Sequence, residues 1–210
     1  KTRLGGKSME KLRIMSFDLD SFTLVKSKEE RSKRVIDYVR KTDVDLGILQ
    51  GNDNLLYDLS TRLDGYDIIY NYYYNLFLMK PILDVVDNFS SVDYSAFVTK
   101  LDNKDIAFCS IKKCKKESLG KLRDILREYE NIDHKVLAGT LQDVNIDSFC
   151  DKYYLDNICS GPRSNHILVS KGLDARGVDS PMMESVEVQP MVVDITYKKV
   201  RSDYEKFKNT

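Results

Sequence analysis

Four acidic side chains in three parts of the chain could hold a hard divalent cation. Asp18 and Asp20 follow directly on one apolar stretch, Asp143 follows another, and Glu187 lies nearer the C-terminus. Carboxylate oxygens are the ligands that Mg²⁺ prefers in proteins. Asp18 and Asp20 by themselves are only weak candidates for a metal site, because Mg²⁺ demands an octahedral set of oxygen ligands.

A run of lysines is the densest basic feature and could bind a phosphate backbone. Acidic residues downstream, such as Glu117 and Asp124, dilute this charge, which favours a solvated surface before a helix. The whole chain carries 33 basic and 33 acidic side chains, so it lacks the global field with which a general nucleic-acid binder attracts phosphates. Any phosphate site must therefore be local, and the candidates for it are Lys112, Lys113, Lys115 and Lys116.

Histidine, tyrosine and cysteine residues offer weaker signals. His166 lies alone in an apolar stretch without a neighbouring carboxylate, which favours a structural role. The aromatic cluster from Tyr70 to Tyr74 could stack bases, but a half-buried strand explains it more simply. Four cysteines lack the spacing of a zinc site, and we expect reduced thiols at Cys109, Cys114, Cys150 and Cys159.

Hydrophobic periodicity predicts an alternation of strands and helices followed by hairpins. Ser27 and either Asn52 or Asp53 are predicted helix caps, and residues 172–181 have the composition of a loop. The predicted strands are 12–17, 46–50, 66–72, 76–78, 97–101, 106–111, 136–138, 166–170 and 191–197. The predicted helices begin near 28, 53 and 119.

Composition indicates a globular protein with one sizeable core, since 42% of the residues are hydrophobic and 31% are charged. We expect a single domain over residues 9–200, preceded by a tag or loose tail at 1–8 and followed by a basic tail at 201–210. The sequence has no apolar run of the roughly 20 residues that span a bilayer. We therefore expect no membrane association and an intracellular protein, cytoplasmic or nuclear. Its many Asn, Ile, Lys and Tyr residues hint at the AT-rich genome of a virus or parasite.

Five segments, taken in order, resemble the DNase I-like superfamily of endonucleases, exonucleases and phosphatases. The first two correspond to strands that usually end in an Asn and in Leu-Gln-Glu, and the third to a Gly-Asp-Phe-Asn turn. The last two correspond to an Arg-Ile-Asp-His strand and a Ser-Asp-His motif. These segments are Leu12–Asp20, Asp45–Gly51, Val136–Gln142, Arg163–Ser170 and Val186–Val193.

The resemblance implies an α/β fold, a four-layered sandwich of two mostly antiparallel mixed sheets with helices on the outer faces. It also implies that the positions of the family's catalytic residues are degenerate in this chain. The family's metal-binding Glu corresponds to Gly51, and the proton acceptor of its Asp-His pair corresponds to Val188. The other changed positions are Asp18, Thr140, Gln142, Asn165 and Glu187.

Three functions follow from this degenerate pattern as alternatives. The first is a pseudoenzyme without a cofactor that binds a protein partner or belongs to a larger assembly. The second is a DNA- or RNA-binding module that keeps a residual phosphate cleft. The third is a divergent metal-dependent phosphoesterase with a rearranged site made of Asp18, Asp20, Asp143 and Glu187.

Overall fold

Two six-stranded β-sheets pack face to face in a computed structural model, and α-helices cover the outer face of each sheet. The structure describes residues 11–25, 27–71, 74–81, 83–90, 94–101, 103–114 and 119–197. The strands of the first half are β1 (Lys11–Asp18), β2 (Leu46–Gln50), β3 (Asp67–Asn71), β4 (Asn75–Met79), β5 (Val85–Ser90) and β6 (Tyr94–Leu101). Those of the second half are β7 (Lys104–Cys114), β8 (His134–Leu141), β9 (Leu155–Gly161), β10 (Asn165–Ser170), β11 (Leu173–Gly177) and β12 (Met191–Tyr197). The helices are α1 (Lys28–Thr42), α2 (Asp53–Arg62), α3 (Leu119–Glu128) and α4 (Ile146–Tyr153).

The two sheets have matching topologies. The strand order is β11-β12-β1-β2-β4-β3 in the first sheet and β5-β6-β7-β8-β10-β9 in the second. Each sheet has one parallel pair, β1 with β2 and β7 with β8, and its other described pairs are antiparallel. A parallel pair needs a crossover connection, which α1 and α3 supply. The predicted sandwich of two mostly antiparallel mixed sheets is confirmed.

Three apolar clusters hold the four layers together. Leu46 and Ile48 on β2 face the second sheet, whereas Leu49 faces the helices, because successive side chains of a strand alternate between faces. The first sheet packs against α1 through residues such as Val35, and the second packs against α3 through residues such as Leu122. No helix among the described residues combines the length and the apolar character needed to cross a membrane.

The predicted caps of α1 and α2 are confirmed. Ser27 Oγ accepts a hydrogen bond from the Glu30 backbone N–H at 3.4 Å, and Asn52 Oδ1 accepts one from the Asn54 N–H at 2.9 Å. The Glu30 side chain does not complete a reciprocal capping box, because it pairs with Arg34 one turn further along at 2.7 Å. Both caps satisfy backbone donors that a helix leaves free at its start.

The sequence patterns missed four elements, namely β5, α4, β9 and β11. Residues 172–181 were predicted to be a loop, which is wrong in part because Leu173–Gly177 forms β11 and pairs with β12. The three missed strands, β5, β9 and β11, lie at sheet edges, where the core covers only part of each strand. Their short polar sequences therefore lack the apolar alternation from which a strand is predicted.

Asp194 on β12 ties three elements together and provides a test of the fold. Its buried carboxylate accepts hydrogen bonds from Arg13 Nε at 2.8 Å and Arg13 Nη2 at 3.1 Å, and from Lys11 Nζ at 3.1 Å. Arg13 also donates to the carbonyl of Thr42 at the end of α1 at 3.0 Å. The hydrogen bond from Arg13 lowers the pKa of Asp194 below its ordinary value.

We expect Asp194→Asn to lower the free energy of unfolding by about 1–3 kcal/mol. The substitution removes the negative charge that accepts hydrogen bonds from Arg13 and Lys11, and these two side chains keep their positive charges. A carboxylate with a lowered pKa stabilises the fold above its unfolded pKa of about 3.9, and this contribution disappears as the pH falls through the folded pKa. Urea unfolding at pH 7 and at pH 3 measures both effects. Asp174→Asn, at an exposed position on β11, is the control and is expected to change little. Equal effects of the two substitutions at pH 7 would contradict the role of Asp194.

Candidate functional site

The core between the two sheets becomes polar at one end. Gln50 follows Leu46 and Ile48 on the inner face of β2, and Ser110 follows Phe108 on the inner face of β7. Polar residues of neighbouring strands continue this surface, since Asp18, Gln50 and Asn75 lie side by side in the first sheet. We call this region the polar seam, and it consists of Asp18, Gln50, Asn75, Ser110, Lys112, Thr140 and Asn165.

Uncharged groups form the buried floor of the polar seam. Gln50 Nε2 donates a hydrogen bond to Ser110 Oγ at 3.1 Å, and Ser110 Oγ donates to Asn75 Oδ1 at 2.7 Å. All three side chains are buried. Sequence reasoning missed Asn75 and Ser110, because their neighbours on the chain carry no charge or motif and only the strand pairing brings them to Gln50.

Three charged side chains cross the polar seam at its open end. The Lys112 ammonium from the second sheet pairs with Asp20 Oδ2 and lies 3.5 Å from Asp18 Oδ1, so it bridges the two carboxylates. Backbone N–H groups hold the same carboxylates, since Asp20 N donates to Asp18 Oδ1 at 3.0 Å and Asn52 N donates to Asp20 Oδ1 at 3.1 Å. The structure thus brings Asp18 and Asp20 together and places a lysine between them.

Gly51 at the end of β2 has no space for a side chain. A Cβ atom built on it would lie 2.8 Å from Cβ of Leu19, closer than real Cβ atoms come to another carbon. Leu19 is fully buried in the core below α1 and α2, and its Cβ cannot turn away as the tip of a flexible side chain could. A carboxylate at position 51 would therefore require the backbone to shift.

Thr140 and Asn165 pair with each other across β8 and β10. Thr140 Oγ1 donates a hydrogen bond to Asn165 Oδ1 at 2.9 Å, and Asn165 Nδ2 donates to the carbonyl of Pro162 at 3.1 Å. Gln142 is half-buried beyond the end of β8, and Asp143 is exposed in the following turn with φ of 58°. The pair at Thr140 and Asn165 is neutral and satisfied internally.

Glu187 and Val188 lie beside the turn that follows β1. The Glu187 backbone N–H donates to the carbonyl of Ser21 at 2.8 Å, and Ser21 Oγ donates to the carbonyl of Val188 at 3.3 Å. The Glu187 carboxylate forms an ion pair with Arg163. Val188 is buried and apolar, so it has no group that can accept a proton.

Of the other residues singled out in the sequence, His166 does not join the polar seam. His166 lies on the opposite face of β10 from Asn165, where its Nδ1 is 3.3 Å from Ser160 Oγ and burial lowers its pKa. Lys115 and Lys116 lie outside the described residues, as do the side chain of Lys113 and most of the cluster from Tyr70 to Tyr74.

Solved structures share this architecture at low sequence identity. One is an endonuclease/exonuclease/phosphatase family protein from Bacteroides thetaiotaomicron, with a TM-score of 0.68 and 14% identity over 90% of this chain and 98% of that one. A second, functionally unknown protein from Enterococcus faecalis has a TM-score of 0.68 and 10% identity over 89% of this chain and 100% of that one. A third is TDP2 from D. rerio complexed with single strand DNA product, with a TM-score of 0.63 and 11% identity over 90% of this chain and 99% of that one.

These likenesses show that the chain has the DNase I-like fold of endonuclease/exonuclease/phosphatase proteins. No protein-family model matches the sequence, and no curated protein matches it. The fold that the sequence motifs implied is therefore confirmed by its three-dimensional similarity alone.

The residues of the polar seam, together with Asp20 and Gly51 beside it, do not fit the divalent cation that the resemblance implies. An ammonium group already neutralises Asp20 and approaches Asp18, and Leu19 fills the space next to Gly51. Within the described ranges, no three His, Cys, Asp or Glu side chains are grouped so that they could hold a metal ion. The four carboxylates of the rearranged metal site are consequently not assembled.

The contact between Gly51 and Leu19 predicts a difference between two glycines. We expect Gly51→Ala to lower the free energy of unfolding by about 1–3 kcal/mol, because the added methyl group overpacks the core at Leu19. Gly120→Ala is the control, since a Cβ at this position in α3 meets no atom within 4 Å. It is expected to leave stability unchanged or to raise it by up to about 1 kcal/mol. Urea denaturation measures both, and a Gly51→Ala protein as stable as the wild type would show that this space is open.

Proposed function

We propose that this chain is a catalytically inactive, nuclease- or phosphatase-like domain that binds a protein partner as a scaffolding subunit. The observation that carries the proposal is the close packing of Gly51 against Leu19. Gly51 stands where the family motif has the carboxylate that holds the metal. Because this position has no space for such a side chain, the chain has lost both the ligand and the space for it.

The chemistry of phosphoester hydrolysis explains why these losses matter. A bound cation neutralises the phosphoryl oxygens and contributes several kcal/mol, and general acid–base assistance typically contributes a factor of about 10² to 10⁴ in rate. Val188 supplies no proton acceptor, and Thr140 and Asn165 are uncharged and bonded to each other. Both contributions are therefore missing from the same cleft.

Exposed apolar side chains on two segments beside α1 support the binding of a protein. Leu24 is 79% exposed and Met182 is 80% exposed. Their two segments are joined by the hydrogen bond from the Thr23 N–H to the carbonyl of Ser185 at 3.1 Å. Contiguous exposed apolar surface favours contact with another protein, and we propose that these two side chains contribute to such a surface. The balance of 33 basic and 33 acidic residues gives no comparable support for binding a polyanion.

Nucleic-acid binding is the second candidate, and the neighbour solved with a single strand DNA product favours it. A residual phosphate cleft in this chain would need a cation that is free to contact phosphate. Lys112 is the candidate lysine whose side chain is described, and it is engaged by Asp18 and Asp20. For this reason we rank the protein-binding role first.

The absence of catalysis is tested by hydrolysis assays with Mg²⁺ and with Mn²⁺. The substrates are single- and double-stranded DNA, RNA and bis(p-nitrophenyl) phosphate. We expect no turnover above that of the Asp20→Ala protein purified in parallel, because Gly51 supplies no carboxylate to hold the metal and Val188 supplies no acceptor for the proton of the attacking water. Metal-dependent turnover that Asp20→Ala abolishes would overturn the proposal and establish a divergent phosphoesterase.

The binding role is tested by purifying the tagged protein from its native cell, with and without nuclease treatment. We expect a stoichiometric protein subunit that survives nuclease and is reduced when Leu24 and Met182 are both changed to Ser. Tyr57→Ser, at a position on α2 that is 58% exposed, is the matched control and should retain the partner. Recovery of nucleic acid alone, with binding that weakens steeply as salt rises, would instead establish the second candidate.

A further inference from the structure

Lys112 is the single basic side chain among the described residues that spans the polar seam. It extends from β7 of the second sheet, whereas Asp18 ends β1 of the first sheet and Asp20 lies in the turn after it. Lys112 and Asp18 are 15% and 14% exposed, and Asp20 is 47% exposed. The interaction therefore joins the two sheets at the boundary between the core and solvent.

The two carboxylates are arranged around one position. Asp18 directs Oδ1 toward the ammonium and also accepts the Asp20 N–H through this oxygen. Asp20 Oδ1 accepts a hydrogen bond from the Asn52 N–H, and Asp20 Oδ2 accepts one from the Lys112 ammonium. Backbone hydrogen bonds fix both carboxylates, so the positive group that lies between them is the variable part of this arrangement.

We propose that Lys112 is a built-in cation that takes the place of a divalent metal ion in the cleft and excludes such an ion. An ammonium is a compact positive charge with three donors, so it can contact two carboxylates without an octahedral ligand set and cancel one of their two negative charges. A divalent ion that approached both Asp18 Oδ1 and Asp20 Oδ2 would have to displace the Lys112 Nζ first. This role of Lys112 depends on the charges of the cleft and not on which partner the domain binds.

The built-in cation also has a structural consequence. Two carboxylates held near each other repel, and a like charge at short range destabilises the ionised forms. A positive group from the opposite sheet relieves this repulsion and ties the sheets together. Removing the Lys112 ammonium should therefore destabilise the fold and, at the same time, create a place where a divalent cation is favoured.

The test compares melting temperatures of the wild type and Lys112→Met in EDTA and in Mn²⁺. Methionine keeps the length and the apolar stem of lysine but carries no charge. We expect Lys112→Met to melt about 2–4 °C lower in EDTA, the shift that about 1 kcal/mol causes in a domain of this size. We expect Mn²⁺ to raise the melting temperature of Lys112→Met in a dose-dependent way and to leave that of the wild type unchanged.

Two variants control this experiment. The first is Lys100→Met, which removes a lysine that pairs with the exposed Asp105. This pair lies in the same sheet as Lys112 but at the opposite end of β7. Lys100→Met should therefore show no response to Mn²⁺. Asp18→Asn combined with Lys112→Met should lose the response to Mn²⁺, because one of the two carboxylates is gone. A wild type that Mn²⁺ stabilises, or a Lys112→Met protein that does not respond to Mn²⁺, would overturn the inference.

A second measurement keeps the inference testable if Lys112→Met does not fold. Paramagnetic broadening by Mn²⁺ in NMR spectra of the wild type reports any ion bound near residues 18–20. We expect no selective broadening of these amides in the wild type and selective broadening in Lys112→Gln, which retains a polar side chain. Selective broadening in the wild type, or equal spectra of the two proteins, would contradict a built-in cation.

Discussion

Successive side chains of a β-strand point to opposite faces, so each strand of this sandwich contributes every second residue to the space between the sheets. This constraint fixes what lies in the cleft. The inner residues of β2 run from Leu46 and Ile48 to Gln50, and β7 runs from Phe108 to Ser110 and Lys112. The same alternation that builds the dry core therefore delivers a polar seam at its end, whether or not the residues there perform chemistry.

What occupies the seam decides its electrostatics. Buried polar groups must be hydrogen-bonded, and buried charges must be paired. The charged end satisfies this requirement with Lys112 between two aspartates. The floor satisfies it only in part, because Gln50, Ser110 and Asn75 bond to one another while Gln50 Oε1 and Asn75 Nδ2 have no partner among the described residues. The charged groups Lys112, Asp18 and Asp20 are thus engaged with one another, whereas an amide oxygen and an amide nitrogen of the floor are not. The fold has thus kept its cleft while its side chains interact mainly with each other.

The two-sheet sandwich was implied by the resemblance of five segments to family motifs. Apolar alternation and helix caps such as Ser27 and Asn52 predicted the individual strands and helices, because these signals act locally. Sequence reasoning also identified the positions that differ from the family motifs, including Gly51 and Val188, because motifs are read along the chain. It could not find Asn75 or Ser110, nor the role of Lys112 opposite Asp18, which depend on strand pairing between distant segments. It missed β5, β9 and β11 because edge strands are partly exposed and need little apolar alternation.

In our proposal a lysine, and not a metal ion, supplies the positive charge between Asp18 and Asp20 in the cleft. A crystal structure of the wild-type protein grown in millimolar Mn²⁺, with anomalous diffraction recorded for manganese, tests this claim most directly. We expect the Lys112 Nζ between the two carboxylates and no anomalous peak in the cleft. A manganese peak bound by Asp18 and Asp20, with the Lys112 side chain turned away, would contradict it.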